Sequence, residues 1–469
     1  KGTPPAPPAP AAPRLRVRER KRSLDRAGYY DASSRGASST TRQIAGLHLA
    51  IAGAPTSPRG LFLGIDAITG WPVYHDVYQA YQDRADFQSP NVIVVGDIGN
   101  GKSSLCKTWG VFRQLLLGRR VVVIDKKLQE GQGEYAPLAR ALGVEPIRFR
   151  RGGGGTRINI LDPHIALEGR EDAVGQTDLL YAVLGEALGR AVTTIERKAV
   201  RVAHASAIAA ARQEQRVATI RDVAAFLLQP RVEELPGVTG PGQLLDWGRE
   251  CGFALEELIE GDLAGLIDGE TSPDVRLNNG LTVFDISALP EEGPAIPIVM
   301  AIISTWMRAR WMSDDEPIPT VIVIEEGWHL VGGRFAEVTR RNIRLSRGAG
   351  LMHLTALHHL SDVVADPHAV AVVQDAATVV IYQQAKRGDA EDCVRMFGLP
   401  ESAVEVIQNL PQGTCLLKIG SGVPVMVSHV RSEIERALTD TDGAMTSSAT
   451  VQVSSTLRQQ AAAMIEGAR

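Results

Sequence analysis

Cysteine is scarce in this chain of 469 residues: there are four, Cys106, Cys251, Cys393 and Cys415. They lie far apart and none has CxxC spacing, which argues against a disulfide framework or a cysteine zinc site and for buried thiols in a reducing compartment. Long apolar runs are also lacking. A membrane span needs about 20 successive apolar residues, and the best stretch, 296–312, is interrupted by Ser304, Arg308 and Arg310. It reads as a core-facing helix. Excess charge is missing too. The formal net charge is −4, so any nucleic-acid contact has to come from a local patch or from a ring of subunits. With 44% hydrophobic and 22% charged residues, the composition is that of an ordinary globular chain and excludes both disorder and a membrane protein. Position 1 is Lys1, and no signal-peptide pattern follows it. The expectation is a fragment.

The chain falls into five segments. Residues 1–43 open with a proline-rich run, pass through the basic stretch at 14–22 and end rich in Ser, Gly and Thr, which is linker chemistry. Residues 44–90 alternate short apolar runs with Gly and Pro and predict a small β-rich lead-in. The apolar run at 91–95 predicts a buried parallel strand, followed by a helix to about Leu117, a stop at Gly118 and a second buried strand ending at Asp125. That is a βαβ unit. Residues 164–260 carry apolar residues at helical spacing with no strand signal and predict an inserted helical subdomain. Strand patterns resume at 281–285, 320–324, 351–354, 378–382 and 413–418. The expected architecture is one α/β domain, 91–163 plus 261–438, with a mostly parallel sheet and helices on both faces. Residues 439–469 form a polar tail.

The chemistry starts at Gly96-Asp97-Ile98-Gly99-Asn100-Gly101-Lys102-Ser103, which satisfies GxxxxGK[ST] in full between an apolar strand and a helix. Glycines let the backbone curl so that successive N–H groups aim at a phosphate, and the helix start adds its dipole. On this reading Lys102 bridges the β- and γ-phosphates of ATP, Ser103 binds Mg²⁺ and Ser104 completes the loop. The run at 319–324 ends in two carboxylates, Glu325 and Glu326. Glu325 is assigned to Mg²⁺ and Glu326 to polarising the attacking water. His353, His358, His359 and His368 cluster in sequence, but their spacing matches no zinc pattern, so no zinc is expected.

Beyond these residues, the chain resembles a known family. Asp125-Lys126-Lys127, Gly133-Glu134-Tyr135 and Leu138 to Gly143 together resemble the "DPKGEY…LA..LG" strand end of the HerA/FtsK-type motor ATPases, with an insertion between the halves. Arg157 to Asp162 is similar to their "R-hydrophobic-N-P-L-D" segment. Glu325-Glu326-Gly327-Trp328-His329-Leu330 resembles the "DEAW.L" of the VirB4/TraC branch, the ATPases of conjugative type IV secretion. Leu266 to Thr271, Asp285-Ile286-Ser287 and Ser361-Asp362 match further segments of that branch, in order, between about 91 and 430. Three features depart from the pattern. Glu325 stands where the family has Asp. His358 falls where the family has a sensor glutamine, in position to donate a hydrogen bond to a γ-phosphate. The short segment 44–90 stands where full-length relatives carry a large domain.

The resemblance implies a RecA-like P-loop fold and Mg²⁺-dependent ATP hydrolysis, catalysed through Glu326, Lys102, His358 and an arginine from a neighbouring subunit. Arg344, Arg347 and Arg387 are candidates for that arginine, with Arg347 favoured. It also implies self-assembly as a hexamer or dimers, docking on type IV secretion channel and inner-membrane components at the cytoplasmic face, and DNA as a further partner. A free DNA translocase and an ATP-binding scaffold with little turnover stay open as alternatives.

Overall fold

The computed structural model describes residues 56–83, 87, 89–152, 154–165, 175–231, 237–312, 318–327, 350–358, 360, 363 and 367–439. Eleven of its strands form one sheet in the order β2-β1-β13-β12-β11-β3-β10-β9-β4-β8-β7. The central strands are β3 (Asn91–Val95), β4 (Arg120–Asp125), β8 (Leu281–Asp285), β9 (Thr320–Ile324), β10 (Leu351–Leu357) and β11 (Thr378–Ile381). From β11 through β3, β10, β9, β4 and β8 to the short β7 (Ile147–Arg148), every neighbouring pair is parallel. The six central strands are buried along their length, which is why β3, β4, β9 and β11 read as near-continuous Val/Ile runs rather than alternating ones.

Side chains of the parallel strands still divide by period two between the faces. Val121, Val123, Val321 and Val323 pack with Trp109 and Phe112 of the helix that follows the glycine-rich loop. Val122, Ile124, Ile322 and Ile324 pack on the other face with the helical segment and with the helix Ala295–Met312. The sheet is therefore sandwiched between helical layers.

The other edge is antiparallel: β12 (Thr414–Ile419) pairs β11, β13 (Val425–His429) pairs β12, β1 (Phe62–Asp66) pairs β13, and β2 (Pro72–Tyr74) pairs β1. The lead-in strands are thus the outer edge of the main sheet and make no sheet of their own among the described residues. A small separate hairpin joins β5 (Leu128–Gln129) and β6 (Gln132–Gly133).

Four helices, α1 (Gln176–Ala187), α2 (Thr194–Gln213), α3 (Ile220–Leu228) and α4 (Pro241–Glu260), occupy the stretch without strand signals. Their starts follow local chemistry. Thr193 caps α2 by accepting from the Glu196 N–H while the Glu196 carboxylate accepts from the Thr193 N–H at 2.7 Å, a reciprocal capping box. Thr219 and Asp222 repeat the device on α3. Gly248 and Gly252 of α4 lie against Leu227 and Leu228 of α3, where a Cβ would collide.

Candidate functional site

The loop between β3 and the next helix is built by accounting for its backbone groups. Lys102 Nζ donates to the carbonyls of Gly96 and Asp97, Gln412 Nε2 to that of Gly99 at 2.8 Å, and the Gly413 N–H to that of Asn100 at 3.0 Å. The Asp97 carboxylate accepts from the Ala385 N–H at 2.8 Å. The Gly99 and Asn100 carbonyls are therefore turned onto the segment before β12, those of Gly96 and Asp97 are held by Lys102, and the Asp97 side chain ties the loop to the segment after β11. Its amides run into a helix start, where the first N–H groups have no intrahelical partner. Gly99 and Gly101 hold φ of 84° and 108°, conformations that side chains rarely adopt. Ile98 at the tip is 78% exposed.

The following helix starts with Lys102–Leu105, winds as a wider π-helical coil over Cys106–Phe112, and closes with Arg113–Leu116. Such coils are uncommon and cluster at functional sites. This one presents Lys107 to a buried ionic cluster. Lys107 Nζ lies 3.0 Å from Glu134, whose other oxygen is 3.0 Å from Lys127 Nζ. The two ammonium groups hold the Glu134 carboxyl below its ordinary range against the opposing effect of its burial. Ser103 Oγ donates to the same carboxylate at 3.4 Å. The Gly133 N–H donates to Asp285 at 3.1 Å and the Tyr135 N–H to Asp125 at 2.7 Å. A side chain at Gly133 would run into the Asp125 carboxylate. The segment 133–135 is thus pinned between two strand-end aspartates, and that fixes where Glu134 points.

Glu325 and Glu326 follow β9, one strand away from β3 across β10. Glu325 is buried, accepts a 2.6 Å hydrogen bond from Tyr135 Oη, and is pushed above the ordinary carboxyl range chiefly by burial and next by the charge of Glu134. Glu326 adopts φ 54°, a left-handed conformation that costs a non-glycine residue about 1 kcal/mol or more. Its carboxylate pairs with His358 Nε2 at 2.8 Å. His358 in turn is held through its carbonyl, which accepts from Gln384 at 3.0 Å. Burial lowers the Lys102 ammonium to about 8, opposed by the charges of Glu325 and, further down, Glu326. The loop lysine and both carboxylates therefore share one electrostatic neighbourhood.

A pocket of about 350 Å³ opens here, lined among others by Gly101 to Ser104, Lys127, Glu134 and His358. A larger cavity, about 430 Å³, lies at the antiparallel edge between Tyr74, Asp76, Gln79 and Val423. It has no glycine-rich loop and no lysine, so the smaller pocket is the candidate site.

Sequence reading did not nominate several residues around this site: Lys107, Lys127, Glu134, Tyr135, Gln384, His429 and Arg431. Lys127, Glu134 and Tyr135 stood inside a family motif without a role of their own. His429 and Arg431 arrive from β13 and the residues after it, more than 300 positions downstream. His429 Nε2 meets Thr108 Oγ1 at 2.8 Å, and Arg431 donates to Ser104 Oγ at 3.3 Å. Of the three arginine candidates, Arg344 and Arg347 lie outside the described residues, as do Trp328, His329, His359, Ser361 and Asp362. Arg387 is exposed at the start of a helix and pairs with Glu391 at 2.7 Å. His353 is buried in β10 and pushed down to about 4 by that burial. Among the described residues no group of three or more His, Cys, Asp or Glu is placed to hold a metal ion, and no helix is long and apolar enough to cross a membrane.

A family model described as an AAA-like domain matches residues 82–430, most of the chain and the site's residues up to His429. The chain belongs to the AAA-like domain family. Among solved structures, this AAA-like domain is similar to VirB4 of Thermoanaerobacter pseudethanolicus, with TM-score 0.66 and 19% identity over 82% of this chain and 100% of that one. It is also similar to the bacterial conjugative coupling protein TrwB, with TM-score 0.52 and 15% identity over 81% of this chain and 90% of that one. A complex of plasmid coupling protein TrwB with a non-hydrolysable ATP analogue matches at TM-score 0.51 and 16% identity, over 81% of this chain and 91% of that one. No curated protein sequence matches. The shared fold is an α/β P-loop one, the class expected from the motif order.

Proposed function

We propose that this AAA-like domain is a Mg²⁺-dependent ATPase motor that energises type IV secretion or conjugative transfer. The observation that carries the reading is the shared neighbourhood of Lys102, Glu325 and Glu326 at a loop whose Gly99 and Asn100 carbonyls are engaged by the segment before β12 and whose Gly96 and Asp97 carbonyls are engaged by Lys102 itself. A triphosphate fits this donor set. Loop amides from Gly99 to Ser104 cradle phosphate oxygens, and Lys102 leaves its two carbonyls to meet them. The magnesium ion would be held by Ser103 and, through water, by Glu325, and would neutralise charge on the phosphate oxygens. A site with few protein ligands suits Mg²⁺, which keeps most of its waters.

Glu326 then accepts a proton from the attacking water, and His358 orients its carboxylate. Tyr135 fixes Glu325, and the Glu134 cluster fixes Ser103. An arginine from a neighbouring subunit, Arg347 on this reading, completes the charge stabilisation in a hexamer or in dimers. The likeness in fold to VirB4 and TrwB supports transfer of DNA or protein at the cytoplasmic face of a bacterial membrane, docked on the secretion channel. A salt series separates this from a free DNA translocase.

The test is phosphate release with and without duplex DNA across that salt series, alongside mass measurement. A defined oligomer whose rate does not depend on DNA supports secretion energising. Strong stimulation that vanishes with salt indicates a free translocase gripping phosphates.

A further inference from the structure

Besides Lys102, the cations Lys127 and Arg431 line the pocket and Lys107 is buried behind Glu134, and they are not equivalent. Lys107 and Lys127 share the Glu134 carboxylate, each at 3.0 Å. Arg431, just past β13, has two neutral hydroxyls as hydrogen-bond partners among the described residues: Ser104 Oγ at 3.3 Å and Thr439 Oγ1 at 3.2 Å, both met by the same guanidinium nitrogen. It lines the pocket with Ser104 and His429. A half-buried guanidinium whose neighbours are hydroxyls is suited to an anion with two oxygens in a plane.

Its place around the loop helix says which part of a nucleotide it meets. Successive helix residues are turned by about 100° about the axis. Ser103 faces Glu134 and so the acidic strand end, at 3.4 Å. Ser104, the next residue, faces Arg431, and Thr108, one turn further on, faces His429. The phosphate attacked by water lies on the Ser103 side, toward Glu326. Arg431 lies on the other side.

We propose that Arg431 is a phosphate ligand supplied in cis, taking the α-phosphate, which di- and triphosphates share. This rests on the nucleotide reading above. The contact binds without discriminating ATP from ADP, and it ties the helix Glu433–Thr439 to nucleotide occupancy through Thr439.

The experiment is calorimetric titration of the full chain with ADP and with a non-hydrolysable ATP analogue, for native protein, Arg431→Gln and Arg431→Lys. A lost charge-assisted contact predicts that Arg431→Gln weakens both ligands alike, by about 10- to 100-fold, with Arg431→Lys in between. Thermal unfolding without nucleotide checks folding, and the shift that saturating ADP adds should shrink in Arg431→Gln. Native affinity for both ligands in Arg431→Gln overturns the proposal, and so does a loss confined to the triphosphate, which puts the guanidinium at the γ end. Should Arg431→Gln prove destabilised, Arg431→Lys decides: weakened ADP binding supports the proposal, and native affinity for ADP overturns it. If the native chain binds neither ligand, the nucleotide reading itself has failed, an outcome distinct from all of these.

Discussion

The loop end of the sheet and the helical segment from α1 to α4 hold their charges in opposite ways. Around the loop, Lys107, Glu134 and Glu325 are buried together, and Glu325 is pushed above its ordinary range by that burial. In the helices, each ion pair keeps its arginine more than a third exposed: Arg190 pairs with Glu196 and Glu250, and Arg216 with Glu214 and Asp222. The interior there is apolar, with Leu179, Val200, Leu227 and Leu255 fully or nearly fully buried. Burying ions opposes folding, whereas apolar packing favours it. Burying Lys107, Glu134 and Glu325 together gives up stability where chemistry needs fixed charge.

Four substitutions or conditions sharpen that contrast, from the largest expected effect to the smallest. Glu134→Ala leaves Lys107 buried without its partner and should cost about 3–5 kcal/mol in denaturant unfolding, with turnover lost as Ser103 loses its anchor. Leu255→Ala in α4 should cost about 2–5 kcal/mol through its cavity, yet leave turnover per folded molecule unchanged. A fall in specific turnover after correction for the folded fraction would mean that the helices act on the site directly.

A pH series probes Lys102. Its ammonium, lowered to about 8 by burial, is charged below that pH and neutral above it. Because kcat/KM reports the free protein, it should fall about tenfold per pH unit above about 8. The profile of kcat should be flatter, since bound phosphate restores the charge. A flat kcat/KM to about pH 10 contradicts a lowered Lys102 ammonium at the site. Smallest is Thr193→Ala at the start of α2, about 1 kcal/mol from a lost cap with no change in turnover. An effect on turnover would contradict its rim position.

Much of this architecture was legible because buried parallel strands announce themselves. β3, β4 and β9 read as Val/Ile runs, each ending in or followed by a Gly or an acidic residue, and β8 as a short apolar run ending in Asp285. β13 did not. Its residues are mostly half-buried, its apolar pattern is broken by Ser428 and His429, and its partners β12 and β1 are set by long-range pairing that no local pattern encodes. Missing β13 meant missing His429 and Arg431. The loop residues were legible because glycine, lysine and serine spacing is itself the chemistry. The Glu134 cluster was not, because Lys107 reaches it only through a π-helical coil that sequence periodicity does not foretell.

The central claim is that Lys102 and Glu326 serve one triphosphate. Phosphate release from Mg²⁺-ATP by the native chain, set against Lys102→Ala and Glu326→Gln, tests it most directly. The account predicts native turnover at least about 100-fold above both variants, with unfolding midpoints unchanged. Equal rates in all three would contradict it and leave a nucleotide-binding scaffold in place of a motor.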